Sequence, residues 1–167
     1  GQGLNQAVLY DPTGKSVGTY NKMHLFSPAG EAKYFASGNQ IFMTHIQGFK
    51  VAVLICYDLR FPELFREAVK SGAEIFVIIA SWPEVRSSHW CTLLEARAIE
   101  NQAYVVGVNR CGKDPKNNYS GQSRIIDPWG TILADAGSTE GVVSFEIDRE
   151  VLLLYRRDLP FLKDARS

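Results

Sequence analysis

The sequence predicts an α/β fold in which strands and helices form stacked layers. Two apolar, β-branched runs, at residues 51–55 and 74–80, have the composition of strands that are covered on both faces. Each run is followed by a segment with the apolar spacing of an amphipathic helix, and hairpin-like segments flank this alternation. Without a linker or an internal repeat, residues 1–167 are predicted to form part of one domain.

Two β-hairpins are predicted in the amino-terminal third. Residues 4–10 and 15–22 have strand-like composition and are separated by Asp-Pro-Thr-Gly, in which proline presets its own φ and glycine supplies a positive φ. A second pair of strand-like segments, 40–46 and 49–56, surrounds a Gln-Gly pair. Residues 24–38, between the hairpins, contain one proline and two glycines and are predicted to form a loop.

The rest of the chain is predicted to alternate between helices and strands. Apolar residues between 61 and 69 recur at the spacing of one helical stripe, with Pro62 suited to the first turn and Gly72 to the end. A second helix is predicted at residues 87–101. The remaining elements are strands at 103–109, 122–127, 131–136 and 142–148, a loop at 112–121, and a short helix at 150–157.

Charge and composition exclude several classes of partner. The chain has 18 basic and 18 acidic residues without a block of like charges. The sequence therefore shows no basic segment of the kind that binds nucleic acid or an anionic membrane. No apolar run reaches the roughly 18 residues of a membrane span. The three cysteines form no CxxC pair and cannot all pair internally, and a domain of this size does not need disulfides, which together favour a reducing compartment. We therefore expect a soluble, cytoplasmic protein with small-molecule partners.

Cys56 is the candidate nucleophile. It lies where a buried strand gives way to the amino terminus of a helix, a place where backbone N–H groups stabilise a thiolate. The alternative is a small core residue, but the polar neighbours Tyr57, Asp58 and Arg60 do not suit a purely structural core. The other two cysteines lack such surroundings and are predicted to be structural.

The group that assists this thiol is harder to assign. His45 and His89 fit packed or surface positions better than a catalytic base, and no carboxylate pairs with a histidine at metal-ligand spacing, so no metal is expected. Lys22 closes a strand beside apolar residues. It either simply ends that strand or serves as a cation that lowers the thiol pKa and stabilises an oxyanion.

These motifs together resemble the nitrilase superfamily of carbon-nitrogen hydrolases, which use a Glu-Lys-Cys triad. The matching segments are YNKMHLF at 20–26, VLICYDLRFPELFR at 53–66, ASWPEVRSSHWCTLLEARAIENQAYVVGVNR at 80–110, and GQSRIIDPWG at 121–130. Within the superfamily, CYDLRFPE and ARAIENQAYVVGVNR are similar to the omega-amidase branch, which hydrolyses short dicarboxylic acid monoamides such as 2-oxoglutaramate. Carbamoylases and aliphatic amidases share much of the same pattern.

The resemblance implies roles for individual residues. Cys56 would be the nucleophile, and Lys22 would stabilise the oxyanion together with the backbone N–H of Tyr57. Glu31 corresponds to a second family glutamate that orients the lysine and the substrate; the alternative is a solvated loop carboxylate. No cofactor is implied, and the expected assembly is a homo-oligomer such as a dimer.

Two further residues are candidates for substrate binding. Arg60 is suited to hold a substrate carboxylate bidentately, with a salt bridge to Asp58 or Glu63 as the alternative. Trp82 follows a predicted strand and either walls the pocket or belongs to the core.

One feature departs from the family pattern. The general-base glutamate of the family lies well upstream of its lysine segment, whereas the first glutamate here is Glu31. The family fold is a four-layer αββα sandwich, and residues 1–167 resemble the carboxy-terminal part of that domain. We therefore expect an amino-terminal part to be missing and the chain alone to be inactive. A carbamoyl or aliphatic amide hydrolase and a non-catalytic binding or assembly module are the alternatives.

Overall fold

The computed structural model describes residues 1–165, which form a mixed α/β structure. Its helices are α1 (Pro62–Lys70), α2 (Ser87–Asn101) and α3 (Arg149–Asp158), with 3-10 turns at Ser27–Ala29, Glu31–Lys33, Cys56–Arg60, Glu84–Arg86 and Phe161–Asp164. Its strands are β1 (Gly3–Leu4), β2 (Gln6–Tyr10), β3 (Ser16–Asn21), β4 (Phe35–Ala36), β5 (Phe42–Ile46), β6 (Phe49–Ile55), β7 (Ile75–Ala80), β8 (Tyr104–Asn109), β9 (Cys111–Lys113), β10 (Asn118–Ser120), β11 (Arg124–Ile126) and β12 (Ile132–Asp135).

A six-stranded mixed sheet is the centre of the fold. The strand order is β12-β11-β8-β7-β6-β5. The three middle strands, β6, β7 and β8, are parallel, while β5, β11 and β12 add antiparallel pairs at the two edges. The parallel strands are joined through α1 and α2, as expected for βαβ units. The predicted α/β class is confirmed.

Both predicted hairpins are present. β2 and β3 pair antiparallel around a turn in which Gly14 has a φ of 83°. β5 and β6 pair around Gln47 and Gly48, whose φ values of 49° and 83° suit a two-residue hairpin turn of the primed type. Residues 24–38, predicted as a loop, contain two 3-10 turns and the short strand β4, which pairs with β1.

The two faces of the six-stranded sheet are covered differently. α1 and α2 cover one face, where Gly107 is required because a Cβ there would lie 2.5 Å from a methyl group of Leu94. Tyr104 points to the opposite face, since side chains alternate along a strand, and it packs in a cluster with Leu152 of α3. The β2–β3 hairpin contacts β5 and β6. Of the four layers that the resemblance implies, residues 1–165 show the helical layer of α1 and α2 and the six-stranded sheet, with the β2–β3 hairpin and α3 packed as further elements.

Two predicted elements differ in the structure. Residues 112–121, predicted as a loop, form the β9–β10 hairpin, which the Asp114 carboxylate closes by accepting the backbone N–H groups of Lys116 and Asn117. Residues 142–148, predicted as a strand, pair with no strand of residues 1–165, and Val142 is 95% exposed. The apolar alternation was present there, but a strand also requires a neighbour with which to hydrogen-bond.

No helix within residues 1–165 combines the length and the apolar character needed to cross a bilayer.

Candidate active site

Cys56 occupies a strained turn at the carboxyl end of β6. It begins the 3-10 turn Cys56–Arg60 and has a φ of 49°, a conformation that is costly for a residue with a side chain. Tyr57 follows in the same first turn, where N–H groups have no partner within the helix. The strand–turn–helix order that the sequence predicts is confirmed, and the turn presents the thiol at its start.

The thiol of Cys56 is harder to ionise than the sequence suggests. Burial raises its pKa above the ordinary value, and this outweighs the lowering by the Lys22 charge and by a hydrogen bond from the Ser81 backbone. The lowered pKa expected for a thiol at a helix terminus is therefore not found, because removing the sulfur from water outweighs the groups that favour the thiolate. The free protein therefore holds Cys56 as a neutral thiol at pH 7, and a base must take its proton.

This raised pKa gives the first expected result. The rate of Cys56 alkylation by iodoacetamide should climb about tenfold per pH unit from pH 6 to 9, because only the thiolate reacts and its fraction grows toward the pKa. Peptide mass spectrometry of Cys56 measures this rate separately from the other cysteines. A rate that levels off below pH 8 would contradict the raised pKa.

Lys22 and Glu31 form a buried ion pair next to Cys56. Lys22 is only 4% exposed, and its Nζ lies 2.6 Å from Oε2 of Glu31. Glu31 also accepts the backbone N–H of Phe26 and the side-chain amide of Asn5 at 2.7 Å. Although burial raises the Glu31 pKa, these donors lower it below its ordinary value, so Glu31 is ionised and orients Lys22. Glu31 is not a solvated loop carboxylate.

Asp58 joins the lysine segment to the cysteine turn. It is fully buried and accepts hydrogen bonds from the Tyr20 hydroxyl at 2.9 Å, the Ile55 N–H at 3.0 Å and the His24 N–H at 2.9 Å. His24 Nδ1 lies 3.2 Å from the same carboxylate. Sequence reasoning noted Asp58 only as a neighbour of Cys56. Its partners His24 and Tyr20 are 34 and 38 residues away in the chain, so no local pattern could identify them.

Replacing Asp58 with asparagine should destabilise the protein by about 2 to 4 kcal/mol, because the amide brings a donor toward groups that all donate and removes the buried charge they share. The free energy of urea unfolding measures the loss. Asp164→Asn, at an exposed carboxylate, is the matched control and should change stability by less than about 0.5 kcal/mol. Equal stability of the two variants would contradict the role of Asp58.

Arg60 and Trp82 form one side of the site. The Arg60 guanidinium carbon lies 4.7 Å from the centre of the Trp82 ring, and Nη2 lies 3.2 Å from Nδ1 of His89. Within residues 1–165, Arg60 makes no salt bridge to Asp58 or Glu63, so the proposed structural alternative for this arginine is wrong. Trp82 is 3% exposed and therefore belongs to the core, and its ring also packs against the Arg60 guanidinium.

The family assignment follows from comparison with known proteins. The model of the carbon-nitrogen hydrolase family matches residues 1–157. The chain belongs to the carbon-nitrogen hydrolase family. Because this match begins at residue 1, it gives no support to the expectation that the chain is only the carboxy-terminal part of the domain.

Two relatives place this carbon-nitrogen hydrolase near the omega-amidases. The 2-oxoglutaramate amidase of Bacillus subtilis is 41% identical over 163 residues, which cover 98% of this chain and 63% of the relative. The omega-amidase YafV of Escherichia coli is 40% identical over 164 residues, which cover 97% of this chain and 63% of the relative. The chain thus spans less than two thirds of the length of these relatives.

A solved structure shows the same fold. A CN-hydrolase superfamily protein from Xanthomonas campestris, with an arsenic adduct in its active site, superposes with a TM-score of 0.93 at 33% identity. The superposition covers 98% of this chain and 64% of the other chain. The predicted nitrilase superfamily and its mixed α/β fold are confirmed.

Asn109 of this hydrolase is a buried residue near the site that sequence reasoning missed. Its Oδ1 accepts the Trp82 N–H at 2.7 Å, and its Nδ2 donates to the carbonyls of Trp82 at 3.2 Å and Gly121 at 2.8 Å. These bonds tie the carboxyl ends of β7 and β8 together and fix Trp82. The sequence at residues 108–110, VNR, contains no local pattern that predicts these hydrogen bonds.

The remaining cysteines and histidines lie outside this arrangement. All three cysteines are free thiols, and the Cys91 sulfur lies 3.2 Å from the side-chain oxygen of Gln122. His45 is exposed on β5, and Cys111 lies in β9. Within residues 1–165, no three His, Cys, Asp or Glu side chains are grouped to hold a metal ion.

Proposed function

We propose that this carbon-nitrogen hydrolase cleaves the terminal amide of a short dicarboxylic acid monoamide, such as 2-oxoglutaramate, to the acid and ammonia. The observation that carries the proposal is the convergence at the end of β6 of the Cys56 thiol with the ion pair of Lys22 and Glu31, whose charges act on that thiol. The curated names of the two relatives support the same reaction.

The proposed reaction proceeds through a thioester. The Cys56 sulfur attacks the amide carbonyl as its proton passes to a base, and the carbonyl electrons move to oxygen. Lys22 Nζ and the Tyr57 N–H stabilise this oxyanion. When it collapses, the carbon–nitrogen bond breaks and the nitrogen takes the proton to leave as ammonia. Water then attacks the thioester, releases the acid and restores the thiol.

The base in this scheme is proposed to be a glutamate outside these 167 residues, as the family pattern implies. Glu31 and Asp58 are carboxylates whose charges act on Cys56. Both are engaged by several donors, and the lowered pKa of Glu31 makes it a poor proton acceptor. No cofactor is proposed for either step.

Arg60 is proposed to hold the substrate carboxylate. Its guanidinium is fixed against Trp82 rather than neutralised by Asp58 or Glu63, so its charge is available. The test compares 2-oxoglutaramate with pentanamide, a neutral amide of the same length. We expect kcat/KM for the anionic amide to be at least roughly tenfold higher, the worth of one charge-assisted hydrogen bond. Equal values would contradict the proposed substrate class and favour an aliphatic amidase.

A non-catalytic binding or assembly module is the second candidate. One observation favours it: residues 1–30 contain no glutamate, so the usual base is absent from this stretch. A folded protein that releases no ammonia from either amide would support it. A homodimer and a cytoplasmic location are also proposed, and size-exclusion chromatography with light scattering tests the first of these.

A further inference from the structure

Arg86 lies in the 3-10 turn Glu84–Arg86 and contacts Phe26 of the segment that carries Lys22. Its guanidinium carbon lies 5.7 Å from the centre of the Phe26 ring, and the Phe26 ring is 5.0 Å from that of Tyr57, beside the nucleophile. The Arg86 carbonyl accepts the Trp82 indole N–H at 2.8 Å. Arg86 therefore contacts two parts of the site. Its backbone carbonyl binds the Trp82 side chain, and its guanidinium lies near Phe26, four residues after Lys22.

Arg86 and Arg60 differ from the other arginines that the structure describes. Most of those pair with a carboxylate, and Arg156 donates to backbone carbonyls of Ala73, Asn101 and Gln102. Within residues 1–165, Arg60 and Arg86 have no carboxylate at ion-pair distance. Each guanidinium lies instead on an aromatic ring, a contact that holds it without cancelling its charge.

We propose that Arg86 is a second carboxylate-binding residue that selects anionic amides. The inference rests on the proposed function and deepens it, because one guanidinium on Trp82 and a second beside Phe26 supply two cations for the 2-oxo acid end of the substrate. Guanidinium groups recognise carboxylates through paired, charge-assisted hydrogen bonds.

The surrounding charges favour an anion at this place. Glu31 is neutralised by Lys22 at 2.6 Å, and Asp58 is engaged by the donors of Tyr20, His24 and Ile55. Glu84 shares the 3-10 turn with Arg86, but it is exposed and forms no ion pair with it in the described part of the chain. None of these carboxylates therefore cancels the charge of Arg60 or Arg86.

The test uses Arg86→Gln, which removes the charge and retains most of the side chain. With 2-oxoglutaramate and with glutaramate, which lacks the 2-oxo group, KM should rise roughly tenfold to a hundredfold, while pentanamide kinetics stay unchanged. Arg86→Lys should recover part of the loss because it keeps the charge but not the paired donors. Arg157→Gln, on α3 beside Asp158, is the control and should alter none of the three substrates.

A second readout does not depend on turnover. The product 2-oxoglutarate should slow iodoacetamide labelling of Cys56 in the wild-type protein and lose this effect in Arg86→Gln. Unchanged protection in the variant would overturn the proposal, as would an equal loss of kcat/KM for all three amides, which indicates a structural role. Absence of hydrolysis by a wild-type protein that includes the proposed base would contradict the proposed function, whereas the protection assay decides the role of Arg86 with or without that base.

Discussion

Replacing Cys56 with alanine is expected to lower kcat/KM for 2-oxoglutaramate by on the order of 10⁴-fold or more, because no other group can form the thioester. Cys56 begins the turn after β6, next to Lys22 and at the start of the helix that carries Tyr57. Ammonia release at substrate concentrations well below KM measures the change. The fold should be retained, because alanine removes only one sulfur atom from a partly buried position and breaks none of the hydrogen bonds of Asp58.

Cys91→Ala and Cys111→Ala are the matched controls for this experiment. Both residues are partly buried free thiols, as Cys56 is, but neither lies on the turn after β6. Each variant should keep activity within about twofold of the wild-type protein. A Cys56→Ala protein that retains a tenth of the activity, or a Cys91→Ala protein that loses it, would show that the nucleophile has been assigned to the wrong residue.

Replacing Lys22 with alanine is expected to lower kcat by roughly 10² to 10³-fold, the usual effect of removing one oxyanion donor. The ion pair with Glu31 aims the ammonium, and loss of Lys22 also leaves the Glu31 carboxylate partly buried without its counter-ion. The pKa of Cys56 should rise further, because the Lys22 charge lowers it. Steady-state kinetics and the pH profile of Cys56 alkylation measure both effects in the same variant.

Lys15→Ala separates this effect from a general loss of positive charge. Lys15 is exposed at the β2–β3 turn, and its removal should leave both kcat and the alkylation profile unchanged. Near wild-type activity in Lys22→Ala would contradict the assignment of the oxyanion stabiliser. Loss of activity with an unchanged alkylation profile would indicate that the ammonium acts on substrate but not on the thiol.

The parts of the fold that depend on local chemistry could be predicted from the sequence. The hairpin turn at Gly14, the buried strand β6, and the helices α1 and α2 each follow from nearby turn residues or from apolar spacing. Residues 142–148 show the limit of this reasoning, since their alternating pattern meets no pairing strand in residues 1–165. Strand pairing is a property of two segments and cannot be judged from one.

The candidate site was only partly predictable for a related reason. Cys56, Lys22 and Glu31 could be named because their segments resemble a family, whereas the contacts that hold them depend on residues distant in the chain. Asp58, Asn109 and Arg86 gave no local signal, because each acts through partners brought together by the fold. The raised pKa of Cys56 also required the structure, since burial decides it.

Mass analysis of the Cys56 peptide after acid quenching during turnover of 2-oxoglutaramate shows directly whether Cys56 forms the thioester. We expect an acyl adduct on Cys56 that appears in step with the first release of ammonia and disappears when substrate is exhausted. Ammonia release with an unmodified Cys56 peptide at every time point, or an adduct on Cys91 or Cys111 instead, would contradict the thioester mechanism.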